Sequence, residues 1–288
     1  MKYFEGFYVK CAGKVDDIAV IFGRQEAKNK KSCFIQIITN NKTFATTYSG
    51  ECACCFRQKP FLAKAGESLA DKSGLYINVD EPGFVARGKV SFGEFKPIKY
   101  DPMGPLKLLP KMECKHMVVS MHHDICGSIT INDQVYNFDG GVGYIEGDKG
   151  CSFPQKYFWS QANDYTKEIY LFASAARIPY LGIRFMGTIC VAMYKGKEYR
   201  FASYLGASVK VIEDKKLLVK QGRMMLEIDV LDDKSPLPLA APNLGTMTRT
   251  IKESLDRIIR YRLTKGKDTL FDFTSDRAAH EYSCALNE

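Results

Sequence analysis

Short runs in which apolar and polar side chains alternate recur along nearly the whole chain. Among them are FEGFYVK at 4–10, DIAVIF at 17–22, CFIQII at 33–38, LYINVD at 75–80, FVARGKVSF at 84–92, KYFWSQ at 156–161, GTICVAMY at 187–194 and MLEIDV at 225–230. A period of two puts successive side chains on opposite faces, and β-branched and aromatic residues fill these runs, so each predicts a strand. Turn residues separate them at short intervals, which is the pattern of a barrel or a sandwich. Asn40-Asn41, Asn132-Asp133, Lys195-Gly196 and Asp214-Lys215, each with apolar or aromatic flanks, predict hairpin turns and therefore antiparallel meanders. The fold class is all-β with little helix.

Two stretches interrupt the pattern. YDPMGPLKLLPKME at 100–113 carries three prolines and cannot be a central strand, so it predicts a linker or crossover between two β units, 1–124 and 125–288. DDKSPLPLAAPNLG at 232–245 reads as a second break. TRTIKESLDRIIRYRL at 248–263 is ambiguous: Ile251, Leu255, Ile258 and Ile259 fit a helix, whereas Ile259, Tyr261 and Leu263 fit a strand.

Composition narrows the picture. With 45% hydrophobic and 26% charged residues over 288 positions, the chain can bury one large core or two smaller ones. No run approaches the roughly 18 apolar residues of a membrane span, and MKYFEGFYVK has no apolar signal core, so a soluble, unexported, cytoplasmic protein is expected. Ten cysteines are too dilute for a disulfide scaffold, and Cys52, Cys54 and Cys55 crowd too closely to pair with one another, so free thiols are expected. The net charge of +8 is scattered among acids, densest in RQEAKNKK at 24–31. Without an aromatic RNA-reading motif, zinc-finger spacing or recognition helix, nucleic acid is not an expected partner.

The candidate chemistry gathers at GYIEGDKGCSFPQKYFWSQAND, 143–164. In an extended segment Tyr144, Glu146 and Asp148 share a face, within a backbone made permissive by five glycines between 140 and 150. Two nearby carboxylates can acquire separated pKa values and leave one as a general acid. The plainer reading is a glycine-rich turn with solvated acids. Tyr157, Trp159, Gln161 and Asn163 share one strand face that is both aromatic and hydrogen-bonding, which suits the wall of a pocket for an apolar ligand. An amphipathic strand with solvent-facing amides would read the same. Cys114, His116, His122, His123 and Cys126 are metal-ligand types, but their spacing matches no standard zinc site, and no metal is expected.

FEGFYVK, MGPLKLLPKMECKHMVVSM at 103–121, GSITIN at 127–132, FDGGVGYIEGDKGCSFPQKYFWSQAN at 138–163, ASAARIPYLGIRFMG at 173–187, YRFASYLGA at 199–207 and GTMTRTIKES at 245–254 together resemble the tocopherol cyclase family. The resemblance implies two lipocalin-like antiparallel β units, related to carotenoid hydratase-like proteins, around a cavity for a prenylated or polyene ligand. It implies a cyclase that adds a phenol oxygen across a prenyl alkene by acid catalysis, an isomerisation that needs no redox cofactor. Asp148 is then the first choice of acid and Glu146 the second. Tyr157 and Trp159 would face the cation, Tyr144 would line the site, and Gln161, Asn163 and His116 would orient the ring oxygen. The family pattern E-K-D-W-G stands here as Glu146-Gly147-Asp148-Lys149-Gly150, with Lys149 in place of an aromatic. A non-catalytic lipocalin-like carrier explains the same residues. Either substrate would dissolve in bilayers, so a basic surface would serve to hold the protein at an anionic membrane.

Overall fold

A computed structural model describes residues 2–27, 30–49, 54–110, 112–164 and 167–284. The first sheet contains β1 (Tyr3–Ala12), β2 (Asp17–Ala27), β3 (Lys30–Thr39), β4 (Thr43–Ser49), β5 (Cys54–Arg57), β6 (Leu62–Ala65), β7 (Ser68–Asp71), β8 (Gly74–Glu81), β9 (Phe84–Phe92), β10 (Cys114–Ile131), β11 (Gln134–Asn137) and β12 (Gly141–Gly150). Its order is β4-β3-β2-β1-β12-β10-β9-β8-β7-β6-β5, with β11 paired to β10. The second contains β13 (Lys156–Asp164), β14 (Ile169–Tyr180), β15 (Ile183–Tyr194), β16 (Lys197–Ala202), β17 (Ser208–Glu213), β18 (Lys216–Gln221), β19 (Met224–Val230), β20 (Leu237–Asn243), β21 (Thr246–Lys265) and β22 (Asp268–Cys284). Its order is β16-β15-β14-β13-β22-β21-β19-β18-β17, with β20 on β21. Among the described residues helix is confined to 3-10 turns at Gly104–Leu108 and Ser203–Leu205, and none is long and apolar enough to cross a membrane.

The four expected hairpin turns all form. Lys195-Gly196 takes positive φ at both positions, 49° and 70°, the backbone a two-residue turn between right-twisted strands requires. The stretch at 248–263 is strand throughout, part of β21. The second proline-rich stretch is not simply a break, because Leu237–Asn243 pairs as β20. Gln36 helps hold it: its amide donates to the Ala240 carbonyl at 2.9 Å and accepts from the Ala240 N–H at 3.0 Å, acting as a short piece of partner strand.

The chain divides into two compact units, one formed by 1–98, 116–152 and 240–249, the other by 99–115, 153–239 and 250–288. A single cut after residue 124 does not describe this division, since it falls inside β10. Each unit has its own apolar cluster. In the first, Phe7, Val9 and Cys11 of β1 pack with Ile18, Val20 and Phe22 of β2 and with Ile145 of β12. In the second, Phe158 and Ala162 of β13 pack with Leu171 and Ala173 of β14, Tyr261 of β21 and Phe273 of β22. The proline-rich segment at 100–113 belongs to the second unit. Arg200 on β16 donates to the carbonyls of Tyr100 and Asp101 at 2.8 and 3.0 Å while paired with Glu198 at 2.8 Å, and Glu198 accepts the Lys99 N–H. The nine described cysteines are free thiols, and Cys52 lies outside the described residues.

Candidate acid–base site

Strand alternation in β12 sorts the glycine-rich stretch into two faces. Ile145 enters the core of the first unit, and Gly143 and Gly147 share its face. A Cβ on Gly143 would overlap the His123 ring, and one on Gly147 would meet the Phe7 ring and the Gly6 carbonyl. These glycines therefore make room for the His123 and Phe7 rings against the strand. Only the turn at Gly140, with φ 69°, uses glycine's conformational freedom. Lys149 also lies on this face, opposite Glu5 of β1, and not beside Asp148. The lysine thus does not occupy the face that carries the acids.

The other face of β12 carries Tyr144, Glu146 and Asp148, and β10 brings His116 to them. The Tyr144 hydroxyl donates to Glu146 Oε2 at 2.5 Å. His116 Nε2 lies 3.4 Å from the same oxygen, and its Nδ1 lies 3.1 Å from Asp148 Oδ1. The result is a row of phenol, carboxylate, imidazole and carboxylate, hydrogen-bonded at its two ends and joined in the middle by the longer charge contact between His116 and Glu146. Burial, followed by the neighbouring Glu146 and Asp148 charges, pushes the Tyr144 phenol well above its ordinary range, so it keeps its proton and acts as a donor. The two acids differ in access. The Glu146 side chain is 8% exposed and the Asp148 side chain 23%.

His116, Glu146 and Asp148 offer ligand atoms within 4.8 Å of one another, the residue types that hold a divalent cation. Here, however, each carboxylate meets a different nitrogen of the imidazole. A single ion would use one of those nitrogens and an oxygen of each carboxylate, whereas one carboxylate at each nitrogen also suits a proton passing through the ring.

Pairing with β1 completes this face. Gly6 is opposite Asp148, Tyr8 opposite Glu146 and Lys10 opposite Tyr144. Lys10 is buried with the fully buried Asp17, their charged groups 3.9 Å apart. Sequence reasoning missed Tyr8, Lys10 and Asp17. The alternation of FEGFYVK already placed Tyr8 and Lys10 on one face, but nothing local tells that β1 pairs with a strand more than a hundred residues away.

Tyr157, Trp159, Gln161 and Asn163 share a face of β13 in the second unit, opposite the face that carries Phe158 and Ala162. Tyr157, Trp159 and Gln161 are nonetheless buried, Gln161 to 2% exposure, so its amide does not face solvent. Gln161 donates to Asn163 Oδ1 at 3.0 Å. Trp159 is held through its carbonyl by His280 Nδ1 at 3.0 Å, and Tyr157 meets Phe153 edge-on. The ladder sets Glu281 of β22 beside Trp159 and Glu253 of β21 beside Glu281, both buried. This second carboxylate pair was also missed, because Glu253 and Glu281 are distant in sequence and neither lies in a recognisable motif.

The remaining metal-ligand types do not assemble. His122 turns toward Asp124 at 4.0 Å, His123 points the opposite way between Phe92 and Phe95, and Cys126 bonds to Asp139. Opposite directions for adjacent histidines follow from the strand itself.

These features define an all-β protein of two antiparallel sheets whose first unit carries a half-buried cluster of two acids and an imidazole on its non-core face. The chain belongs to the tocopherol cyclase-like family, which matches residues 83–283. No curated protein matches it. Among solved structures it is similar to AttH from Nitrosomonas europaea at 10% identity and TM-score 0.59, covering 98% of this chain and 93% of that one. It is similar to CghA in complex with Sch210972 at 9% identity and TM-score 0.65, covering 100% and 90%. Kievitone hydratase from Nectria haematococca follows at 10% identity and TM-score 0.55, covering 98% and 88%. At such identities the likeness establishes the lipocalin-like all-β fold and leaves the chemistry to the residues.

Proposed function

We propose that the relay of the first unit is the acid of a cyclase acting on a prenylated phenol. The observation that carries this reading is His116 set between two carboxylates, 3.1 Å from Asp148 and 3.4 Å from Glu146. Asp148, the more exposed acid, delivers a proton to the alkene and leaves a tertiary cation. The phenol oxygen of the same molecule attacks that cation, and the phenolic proton returns to Asp148 directly or through His116. No atom is gained or lost, so the reaction is an isomerisation. Glu146, fixed by the Tyr144 hydroxyl, holds the imidazole in place and balances its charge when it carries the proton. Membership in the tocopherol cyclase-like family supports a cyclase, and a hydratase on the same fold supports alkene protonation as chemistry this architecture can host. Independently of the relay, the buried aromatic and amide face of β13 in the second unit is proposed to bind an apolar ligand, with Trp159 supplying the largest surface.

The test is turnover of a panel of prenylated phenols followed by chromatography of the product. Asp148→Asn is expected to lower kcat at least a hundredfold, about what loss of a general acid costs, with ligand affinity nearly unchanged. Glu146→Gln and Tyr144→Phe are expected to lower kcat less, and Trp159→Ala to weaken binding instead. Tight binding of these ligands by the wild type without any product would make the protein a carrier. Unchanged turnover in Asp148→Asn would remove the relay from the reaction.

A further inference from the structure

β14 and β15 pair without interruption from Ile169 and Tyr194 to Tyr180 and Ile183, and close on the two-residue turn Leu181-Gly182. Both turn residues have positive φ, 48° and 85°. Asn-Gly or Gly-Gly meets that geometry with least strain. Leucine is out of place there twice over. It adopts a backbone conformation that L side chains pay to enter, and its side chain enters no core, since Leu181 is 75% exposed. Ile183 beside it is 64% exposed. A Cβ placed on Gly182 would meet nothing within 4 Å, so the tip stands clear of its surroundings.

Charge completes the picture. From Ile169 to Tyr194 there is no Asp or Glu, and the only charged residues are Arg177 and Arg184, both exposed. In the ladder Arg184 pairs with Pro179, two residues behind Gly182, and Arg177 pairs with Met186, four residues behind Leu181, so at roughly 3.3 Å per residue the guanidinium groups are rooted about 7 and 13 Å behind the tip. Apolar side chains at an interface sink about 5–10 Å into the boundary between headgroups and acyl chains. That depth would leave Arg177 at the level of the lipid phosphates and Arg184 close enough to reach them along its flexible stem.

We propose that the β14–β15 hairpin is a membrane-contact element that places Leu181 and Ile183 in the acyl boundary of an anionic bilayer, with Tyr180 at the interface and Arg177 and Arg184 on lipid phosphates. A tip two residues wide is too small for a stable protein interface, which takes about 800 Å² from each partner, whereas fluid lipid closes around it without needing a matching shape. A leucine kept at a strained, exposed turn is a local rule broken with no gain to the fold, and a contact outside the fold supplies the gain. The inference does not depend on the cyclase reading, because a carrier that loads from a bilayer needs the same contact.

The experiment is co-sedimentation of the full chain with vesicles of phosphatidylcholine alone and of phosphatidylcholine mixed with phosphatidylserine. Wild type is expected to bind the mixed vesicles more strongly, and less so as salt rises. Leu181→Asn with Ile183→Thr suits both the turn and the strand, so the fold and its unfolding temperature should be kept while vesicle partition falls about tenfold or more. Arg177→Gln with Arg184→Gln should bring binding of mixed vesicles down to the level of neutral ones. Failure of the wild type to bind either vesicle overturns the proposal, as does equal binding by the tip variant. A self-association that depends on Leu181, with vesicle binding unchanged, would assign the tip to a protein contact and equally overturn it.

Discussion

Single residues decide how the protein responds to acid. Ser120 Oγ donates to the His122 carbonyl at 2.8 Å, so at 3.0 Å from His123 Nδ1 it accepts a hydrogen bond from that nitrogen. Burial, with a smaller contribution from His122, lowers the His123 pKa to about 3. His280 sits between the carbonyls of Trp159 and Asp214, which favour its charged form, but burial outweighs them and brings it to about 4. The unfolded chain takes up both protons near pH 6.5, and the folded chain does not until the pH is much lower. Between those limits the unfolded state binds more protons, so stability is full above about pH 6.5 and falls as the pH drops, by up to about 1.4 kcal/mol per pH unit for each ring. Urea unfolding at pH 7.5 and pH 5 is expected to show a loss of about 2 kcal/mol from each histidine, and His123→Gln should remove its share of the difference. An unchanged difference in that variant would mean that His123 titrates alike in both states. These histidines show the limit of reading at this scale. Opposite directions for His122 and His123 were legible from strand alternation, but that one would be sealed against Gly143 was not, because the contact joins strands set by the sheet.

At the scale of elements, most strands and turns were legible because period-two alternation and turn residues are local signals. β21 shows where locality fails. Its register with β22 breaks between Ser254 and Arg257 and again between Arg257 and Ile259. Ile251 and Leu255 are buried outside the apolar cluster that takes Ile259, Tyr261 and Leu263. The resulting spacing of four residues from 251 to 255 to 259 imitates a helix, although each part serves a strand. β20 was hidden for another reason: Pro238 and Pro242 argue against a strand until Gln36 and β21 supply the partners. The segment at 100–113 is fixed by side chains in place of a ladder, with Arg200 at its centre. Arg200 and Glu198 are nearly buried, at 11% and 9% side-chain exposure, so removing one partner strands the other. Arg200→Ala is expected to cost about 3 kcal/mol or more and to release the backbone near Tyr100 and Asp101. Hydrogen exchange should show the loss of protection there, with β21 and β22 little changed. Protection retained at those residues would mean that Tyr204, whose hydroxyl bonds the Pro102 carbonyl, is enough to hold the segment.

For the molecule as a whole, the order of strands in the first sheet determines which pieces of chain can fold. The sheet is not built in sequence order: β12 lies between β1 and β10, although more than a hundred residues separate β12 from β1. A boundary at residue 124 looks reasonable from the proline-rich segment before it, yet it cuts β10 in the middle and discards both β11 and β12. The fragment 1–124 would leave β1 without the neighbour against which Phe4 to Ala12 are paired, and it would separate His116 from Glu146 and Asp148. The fragment 1–152 keeps every strand of the sheet. It loses only the return of the chain at 240–249, where Ala240 is bonded to Gln36, Leu244 to Ser152, Gly245 to Cys151 and Met247 to Gln25. Those bonds are few compared with the ladders that remain, each worth about 1 kcal/mol net. Fragment 1–152 is therefore expected to unfold cooperatively in urea at a lower midpoint than the full chain, and fragment 1–124 to show no cooperative transition, with circular dichroism as the readout. A cooperative transition in 1–124 would show that β12 is dispensable to the sheet it divides, and would reinstate the earlier boundary.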